Sequence, residues 1–185
     1  MFKTLKLRGS SPLSFESLWK LQTVVTEHDG QFRLRKSNGL VKDVFYKKHM
    51  TNLLGSSGIG HVRYPTAGTS SVAEAQPFYV NYPFGISLAH NGNLTNADEV
   101  HKLLTNVHRR HVNTTSDSEL LLNLLAMELH SRTLNLDING EIHVDVNTIF
   151  SSVHELNNQI TGGYACAVSY THLRAHETRG NLVCR

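Results

Sequence analysis

The order of strand-like and helix-like segments in this 185-residue chain predicts an α+β fold. Three observations support this prediction. Short segments of strand character fill the first half of the chain, and three segments with apolar residues at helical spacing follow them. A last apolar run, Tyr164–Val168, predicts a closing strand. Because the strands are grouped and do not alternate singly with helices, we expect layered sheets and not a βαβ repeat.

Five segments of the first half are predicted strands, each bounded by turn-forming residues. They are Phe32–Arg35, Val41–Phe45, Ile59–Tyr64, Phe78–Val80 and Gly85–His90. The first two should form a hairpin that turns at Ser37, Asn38 and Gly39. The last should end at Asn91-Gly92, a dipeptide that favours tight hairpin turns.

Three helices are predicted from apolar periodicity. They cover about Asn96–His108, Ser116–His130 and Val146–Gln159. Thr95 with Asp98, and Ser116 with Glu119, have the three-residue spacing of a capping box. The second helix has the clearest pattern, because leucines recur on one face along its length. A short strand at Ile142–Val144 should precede the third helix.

The two ends of the chain differ from the middle. Residues 1–23 lack a clear period and contain four basic residues and one acidic residue. Residues 169–185 contain three basic residues and one acidic residue, and they resemble translated adapter DNA. We therefore predict one domain at 24–168, a non-matching segment at 1–23 and a spurious tail at 169–185. The net charge of +3 is then no indication of a nucleic-acid partner.

Composition excludes several classes of protein. The chain is 39% hydrophobic and 18% charged, and no run approaches the roughly 20 apolar residues that span a membrane. Two cysteines cannot make a disulfide framework, and the N-terminus lacks the apolar core of a signal peptide, so we expect a cytoplasmic protein. Cys166, His172, His176 and Cys184 could in principle bind zinc. We predict no metal site, because the first lies in an apolar strand and the others in the suspect tail.

Three polar clusters at the ends of predicted elements could bind a ligand. Arg63, Asn91-Gly92 and Asp117 each have an ordinary structural explanation, as an ion pair, a hairpin turn and a helix cap. Together they suit a free amino acid. An arginine binds an α-carboxylate through two hydrogen bonds, and an unpaired aspartate binds an α-ammonium group. Amide groups of Asn91 and Gly92 would donate to a developing oxyanion, but the set contains no nucleophile.

Five segments resemble, in order and spacing, the N-terminal glutaminase domain of the amidophosphoribosyltransferase family. They are Arg33–Lys36, Gly58–Gly68, Glu74–Phe78, His90–Leu94 and Asn113–Glu119. The run Arg-Tyr-Pro-Thr-Ala-Gly at 63–68 separates the chain from glucosamine-6-phosphate synthase, which resembles Arg-Trp-Ala-Thr-His at this place. The resemblance covers 24–168.

The resemblance implies a four-layer αββα N-terminal-nucleophile hydrolase fold, truncated at its first strand. In this family an N-terminal cysteine attacks the glutamine amide and forms a thioester. The ammonia released serves a phosphoribosyltransferase domain, which makes 5-phosphoribosylamine from phosphoribosyl pyrophosphate for purine synthesis. By motif, Arg63, Thr66 and Asp117 would hold glutamine, and Asn91 and Gly92 would form the oxyanion hole.

The chain departs from the family at its start. Position 2 is Phe2, and neither Cys166 nor Cys184 has a free α-amine. We expect a fragment that lacks the nucleophile and the transferase domain, is inactive and poorly stable, and leaves a sheet edge open. We expect no cofactor here. Magnesium would belong to the missing transferase domain, and the parent enzyme would be a homo-oligomer. The alternatives are the glutaminase domain of another class II amidotransferase and a non-catalytic glutamine-binding module.

Overall fold

A computed structural model describes residues 2–6, 23–37, 44–55, 57–62, 72–133, 144–171 and 183–184, with the first and last ranges described as backbone alone. Its strands are β1 (Phe2–Lys6), β2 (Thr23–His28), β3 (Gln31–Lys36), β4 (Ser57–His61), β5 (Phe78–Val80), β6 (Ile86–Leu94), β7 (Gly162–Tyr170) and β8 (Val183–Cys184). Its α-helices are α1 (Lys47–Met50), α2 (Ala97–Lys102), α3 (Asp117–Thr133) and α4 (Val146–Gln159). The predicted α+β class is confirmed.

The strands form two antiparallel sheets of four strands each. The first sheet has the order β1-β4-β2-β3, and the second has the order β5-β6-β7-β8. Val25 and Ile59 of the first sheet form a buried cluster with Ala89 and Ala167 of the second, so the sheets pack face to face. The opposite face of the second sheet packs against the helices, where most of the apolar core lies.

The first hairpin differs from the predicted one. β3 pairs with β2, from Thr23 opposite Lys36 to His28 opposite Gln31. The turn is Asp29-Gly30, both with positive φ (50° and 73°), as the type I′ turn requires. We predicted a strand at 41–45 as the partner. Of this segment the structure describes Val44, which is helical, and Phe45, which is irregular, so the prediction is wrong at these two residues. Both are buried next to α1, and residues 38–43 lie outside the described residues.

The edge of the first sheet beside β4 is paired, although we expected an open edge there. β1 runs antiparallel to β4, from Phe2 opposite His61 to Lys6 opposite Ser57. β4 also pairs with β2 on its other side. Backbone groups of β4 therefore have partners on both sides. The strand predicted at 59–64 begins two residues earlier, at Ser57, and its end beyond Val62 lies outside the described residues.

Two strands of the second sheet are longer than predicted. β6 does not end in a hairpin at Asn91-Gly92 but continues to Leu94, paired with β7 throughout. β7 continues past Val168, and Tyr170 is buried. The backbone amide of Thr171 then donates to the Gly85 carbonyl at 2.9 Å. The sheet thus extends past the predicted start of the tail, whose residues 172–182 and 185 lie outside the described residues.

The three predicted helices are present. α3 is buried on most of its circumference, not on one face, because it packs against both α4 and the second sheet; its buried apolar residues are Leu120, Leu121, Leu122, Leu124, Leu125, Ala126 and Leu129. α2 continues as a π-helical turn over Leu103–Val107. The strand predicted at 142–144 is not seen at Val144, and residues 142 and 143 are outside the described ranges. Within those ranges, every helix is too short or too polar to cross a lipid bilayer.

Neither predicted capping box forms. Asn96 is the N-cap of α2 and makes no side-chain cap; its side-chain oxygen accepts from Thr161 N. At α3, the Glu119 carboxylate accepts from Asn113 and Thr114, whereas the Ser116 amide donates to Thr114 Oγ1. These side chains therefore tie each helix start to a neighbouring loop.

Candidate functional site

Three of the five predicted site residues lie together at one end of the sheet stack. Asn91 and Gly92 lie near the C-terminal end of β6, and Asp117 is the first residue of α3. The backbone amide of Leu94 donates to Asp117 Oδ2 at 3.1 Å, which joins the end of the strand to the start of the helix. Arg63 and Thr66 lie outside the described residues, and their assignment stays a prediction.

Gly92 holds a backbone conformation that other residues rarely adopt. Its φ is +147°, and an added Cβ would lie 2.2 Å from the Gly163 carbonyl oxygen on β7. The positive-φ preference of the Asn-Gly dipeptide is therefore used inside a strand and not in a turn. Asn91 and Asn93, on either side, are exposed. Asn91 lies on the same strand face as Ala89, which packs against the first sheet.

Asp117 is not the unpaired carboxylate that the sequence suggested. Besides the Leu94 amide, its Oδ1 lies 3.5 Å from His90 Nδ1 and 3.4 Å from Ser118 Oγ. Burial raises the pKa of Asp117, but hydrogen bonds from His90, Leu94 and Ser118 outweigh it, so the pKa is below its ordinary value. About a fifth of the Asp117 side chain, 21%, is exposed. The group can present a negative charge to a ligand.

A buried polar cluster beneath β6 was missed from the sequence. His90, Gln76 and Ser118 are 3%, 9% and 1% exposed, on the helix-facing side of the strand. Gln76 Nε2 donates to Ser118 Oγ at 2.8 Å, and His90 Nδ1 lies 3.0 Å from the same oxygen. All three residues fall within the motif segments, but their contacts join parts of the chain far apart in sequence.

Glu119 fixes the loop that precedes α3. Its two carboxylate oxygens accept from the backbone amides and side chains of Asn113 and Thr114 at 2.7–3.3 Å. Burial raises the pKa of Glu119, and these hydrogen bonds outweigh that effect and lower it. Lys36 on β3 interacts electrostatically with Glu119, and its ammonium lies over the Phe78 ring at 4.9 Å. The start of α3 is thus held from the loop and from the first sheet.

The described residues offer no group of three or more side chains suited to bind a metal. Cys166 is buried in the middle of β7, opposite His90 of β6 in the strand register. Cys184 pairs with it through the backbone of β8, and His172 and His176 lie outside the described residues. Because two of the four residues considered for zinc lie outside the described residues, the structure does not show whether the four come together.

The fold is that of an N-terminal-nucleophile hydrolase domain. A solved structure with this fold is glutamine phosphoribosylpyrophosphate amidotransferase from Bacillus subtilis, complexed with ADP and GMP. It matches 84% of this chain and 31% of its own length, with a TM-score of 0.60 and 25% identity. The predicted fold family is confirmed.

The sequence is homologous to part of the amidophosphoribosyltransferases, which confirms the family resemblance. The Escherichia coli enzyme is 58% identical over an alignment of 173 residues that covers 86% of this chain. The Haemophilus influenzae enzyme is 53% identical over 143 residues, or 77% of this chain. The chain spans only 32% and 27% of these two relatives. No family model matches the chain.

Proposed function

We propose that this chain is the glutaminase part of an amidophosphoribosyltransferase and binds glutamine at the end of β6. The observation that carries the proposal is the hydrogen bond from the Leu94 amide to Asp117 Oδ2. It holds an ionised carboxylate near Asn91 and Gly92, as a site for an amino-acid amide requires. Asp117 would bind the α-ammonium group, and Asn91 and Gly92 would donate to the oxyanion. Arg63 and Thr66 would hold the α-carboxylate side of the ligand.

We further propose that this chain binds glutamine without hydrolysing it. The chemistry needs a thiolate beside a free α-amine, which acts as the base. Cys166 cannot supply this pair, because it is an internal residue buried in β7. Position 2, where the family resemblance places the nucleophile, is Phe2. Release of glutamate from glutamine by the purified chain would contradict this expectation.

The complete reaction would need the rest of a longer parent protein. Ammonia from glutamine would pass to a phosphoribosyltransferase domain, which would make 5-phosphoribosylamine from phosphoribosyl pyrophosphate in purine synthesis. Magnesium would act in that domain, and the parent would be a cytoplasmic homo-oligomer. The high identity to amidophosphoribosyltransferases favours this assignment over a glutaminase domain from another class II amidotransferase.

Calorimetric titration of the chain with L-glutamine tests the proposal. We expect saturable binding, and Arg63→Ala or Asp117→Asn should weaken it about tenfold or more, because a charged hydrogen bond contributes about 1.5–3 kcal/mol. Asp98→Asn is the matched control, since Asp98 is an exposed acid on α2. Absence of binding by the unmodified chain, or an unchanged affinity in both site variants, would contradict the proposed site.

A further inference from the structure

The buried cluster of Gln76, His90 and Ser118 connects the two halves of the candidate site. His90 precedes Asn91 in β6, and Ser118 follows Asp117 in α3. The cluster lies between the second sheet and α3, in a region whose other residues are mostly apolar. Burying polar groups there is unfavourable unless they form hydrogen bonds. The cluster therefore needs an explanation beyond packing.

The orientation of the Gln76 side chain fixes the direction of the hydrogen bonds. The backbone amide of His90 can only donate, and it contacts Gln76 Oε1 at 2.5 Å. Gln76 Nε2 must then be the atom that donates to Ser118 Oγ at 2.8 Å. One lone pair of Ser118 Oγ is thereby occupied, and its hydroxyl proton remains to be assigned.

The tautomer of His90 follows from the same assignment of donors and acceptors around Ser118 Oγ. With the proton on His90 Nδ1, the ring donates to Ser118 Oγ at 3.0 Å, and the hydroxyl is left to donate to Asp117 Oδ1. With Nδ1 unprotonated, the Ser118 hydroxyl donates to the ring and Asp117 loses this donor. The first arrangement is favoured, because it also gives Asp117 Oδ1 a hydrogen bond from the Ser118 hydroxyl. His90 Nε2 has no hydrogen-bond partner among the described residues.

We infer that His90 is a positioning residue for glutamine binding: its Nδ1–H, 3.0 Å from Ser118 Oγ and 3.5 Å from Asp117 Oδ1, orients both groups and so holds the Asp117 carboxylate beside Asn91 and Gly92. Its role toward glutamine rests on the proposed function. Its effect on Asp117 does not, because the contacts exist without ligand. A histidine that only fills space would affect stability and leave the ionisation of Asp117 unchanged.

The charged groups around Asp117 support this role. Burial raises the pKa of Asp117, and the hydrogen bond from His90 is the largest of the effects that lower it. Glu119, on the same helix, is committed to Asn113 and Thr114. Lys36 of β3 interacts electrostatically with Glu119. Among the described residues, His90 is thus the titratable side chain that contacts Asp117 from the opposing strand.

The test measures the pKa of Asp117 directly, by NMR titration of side-chain carboxyl carbons in the unliganded full chain. In His90→Leu and in Ser118→Ala the pKa of Asp117 should rise towards its ordinary value, because each change removes a donor. In His90→Asn it should stay low, because the asparagine amide places a donor near the position of Nδ1. His101→Leu, on the exposed side of α2, is the matched control.

The glutamine affinity of the same variants gives a second readout. His90→Leu should weaken binding about tenfold at pH 7, and the loss should grow at lower pH, where Asp117 takes up a proton. His90→Asn should restore most of the affinity. Circular dichroism checks that each variant folds. If His90→Leu does not fold, Ser118→Ala takes its place in both measurements.

The outcomes separate the two proposals. An unchanged pKa of Asp117 in the folded His90→Leu or Ser118→Ala chain overturns the positioning role, whatever the affinity for glutamine. A raised pKa that His90→Asn reverses supports it. If the unmodified chain does not bind glutamine, the proposed function fails, while the titration of Asp117 still decides the role of His90.

Discussion

Gly92 shows how much the candidate site depends on one backbone conformation. Replacing it with alanine would force a side chain into positive φ and place Cβ 2.6 Å from Tyr164 Cα. We expect Gly92→Ala to lower the free energy of unfolding by about 2 kcal/mol or more, since strained backbone costs about 1–3 kcal/mol before any clash. Urea denaturation of the purified chain measures this difference.

Gly163 provides the control for Gly92. It lies on the adjacent strand β7, and an added Cβ would meet nothing within 4 Å. Gly163→Ala should change the free energy of unfolding by no more than about 0.5 kcal/mol. Equal losses in the two variants would show that position on the strand, and not the conformation of Gly92, causes the effect.

The candidate site residues were predicted from short sequence motifs, and their roles stay predictions. Asn91, Gly92 and Asp117 each lie in such a motif, and the structure brings them to one end of the sheet stack. The buried cluster of Gln76, His90 and Ser118 was missed, because the contact between His90 and Ser118 spans 28 residues and that between Gln76 and Ser118 spans 42. Local spacing carries no information on such contacts.

Helix α4 has bounds that its sequence pattern predicts and an N-cap that we did not predict. Its predicted bounds are confirmed, because its apolar residues recur at helical spacing and Ile149 and Leu156 are buried. Asp145 is the N-cap, and its Oδ1 accepts from the Thr148 amide at 2.6 Å. An aspartate before the first apolar residue was a usable signal.

Removing the α4 cap should destabilise the chain by a pH-dependent amount. Asp145→Ala should cost about 1 kcal/mol at pH 7, whereas Asp145→Asn should cost less, because asparagine also caps well. The hydrogen bonds from Thr148 lower the pKa of Asp145 in the folded state. The charged cap therefore stabilises the fold above the unfolded pKa, and this contribution is lost as the pH falls through the lower folded pKa.

Thermal or urea unfolding at pH 7 and near pH 3 measures the effect of Asp145→Ala. The difference from the unmodified chain should be smaller at the lower pH. Asn147→Ala, at an exposed position in the first turn of α4, is the control and should have little effect at either pH. A loss for Asp145→Ala that does not depend on pH would contradict a charge-assisted cap.

Strand pairing was less predictable than the helices. The hairpin of β2 and β3 is formed at Asp29-Gly30, a strong local turn signal, whereas we predicted the turn at the similar Asn38-Gly39. At Asn91-Gly92, by contrast, we predicted a turn where the structure has a continuous strand. The dipeptide's positive φ occurs within β6, where Gly162 on the facing strand also has a positive φ, +138°, and the two strands remain paired. The dipeptide therefore indicates a positive φ, but pairing with the neighbouring strand determines whether that φ occurs in a turn or within a strand.

For the whole molecule, the family resemblance implied two layers of sheet with helices, but not the strand order. In the first sheet β4 lies between β1 and β2, a pairing that joins segments far apart in the chain. The candidate site arises from this assembly. β6 brings Asn91 and Gly92 to the end of the sheet stack, and α3 brings Asp117 to the same place from the helical layer. Stacking of the layers is therefore a condition for the site.

Small residues allow the two sheets to approach each other. Ala89 and Ala167 are opposite each other on β6 and β7, are 0% and 3% exposed, and pack with Val25 and Ile59 of the first sheet. Ala89→Leu should push the sheets apart and cost about 1–3 kcal/mol, as overpacking does. Ile59→Ala alone should cost about 2–5 kcal/mol by leaving a cavity.

The double variant tests whether these side chains share one space. In Ala89→Leu/Ile59→Ala the added leucine can occupy the volume that the isoleucine leaves, so the loss of unfolding free energy should be smaller than the sum of the single losses by about 0.5–3 kcal/mol. Ala89→Leu combined with Leu156→Ala is the control, because Leu156 belongs to the helix-side core. That pair should be additive within about 0.5 kcal/mol. Additive losses in both pairs, measured by urea denaturation, would show that Ala89 and Ile59 do not pack together across the sheets.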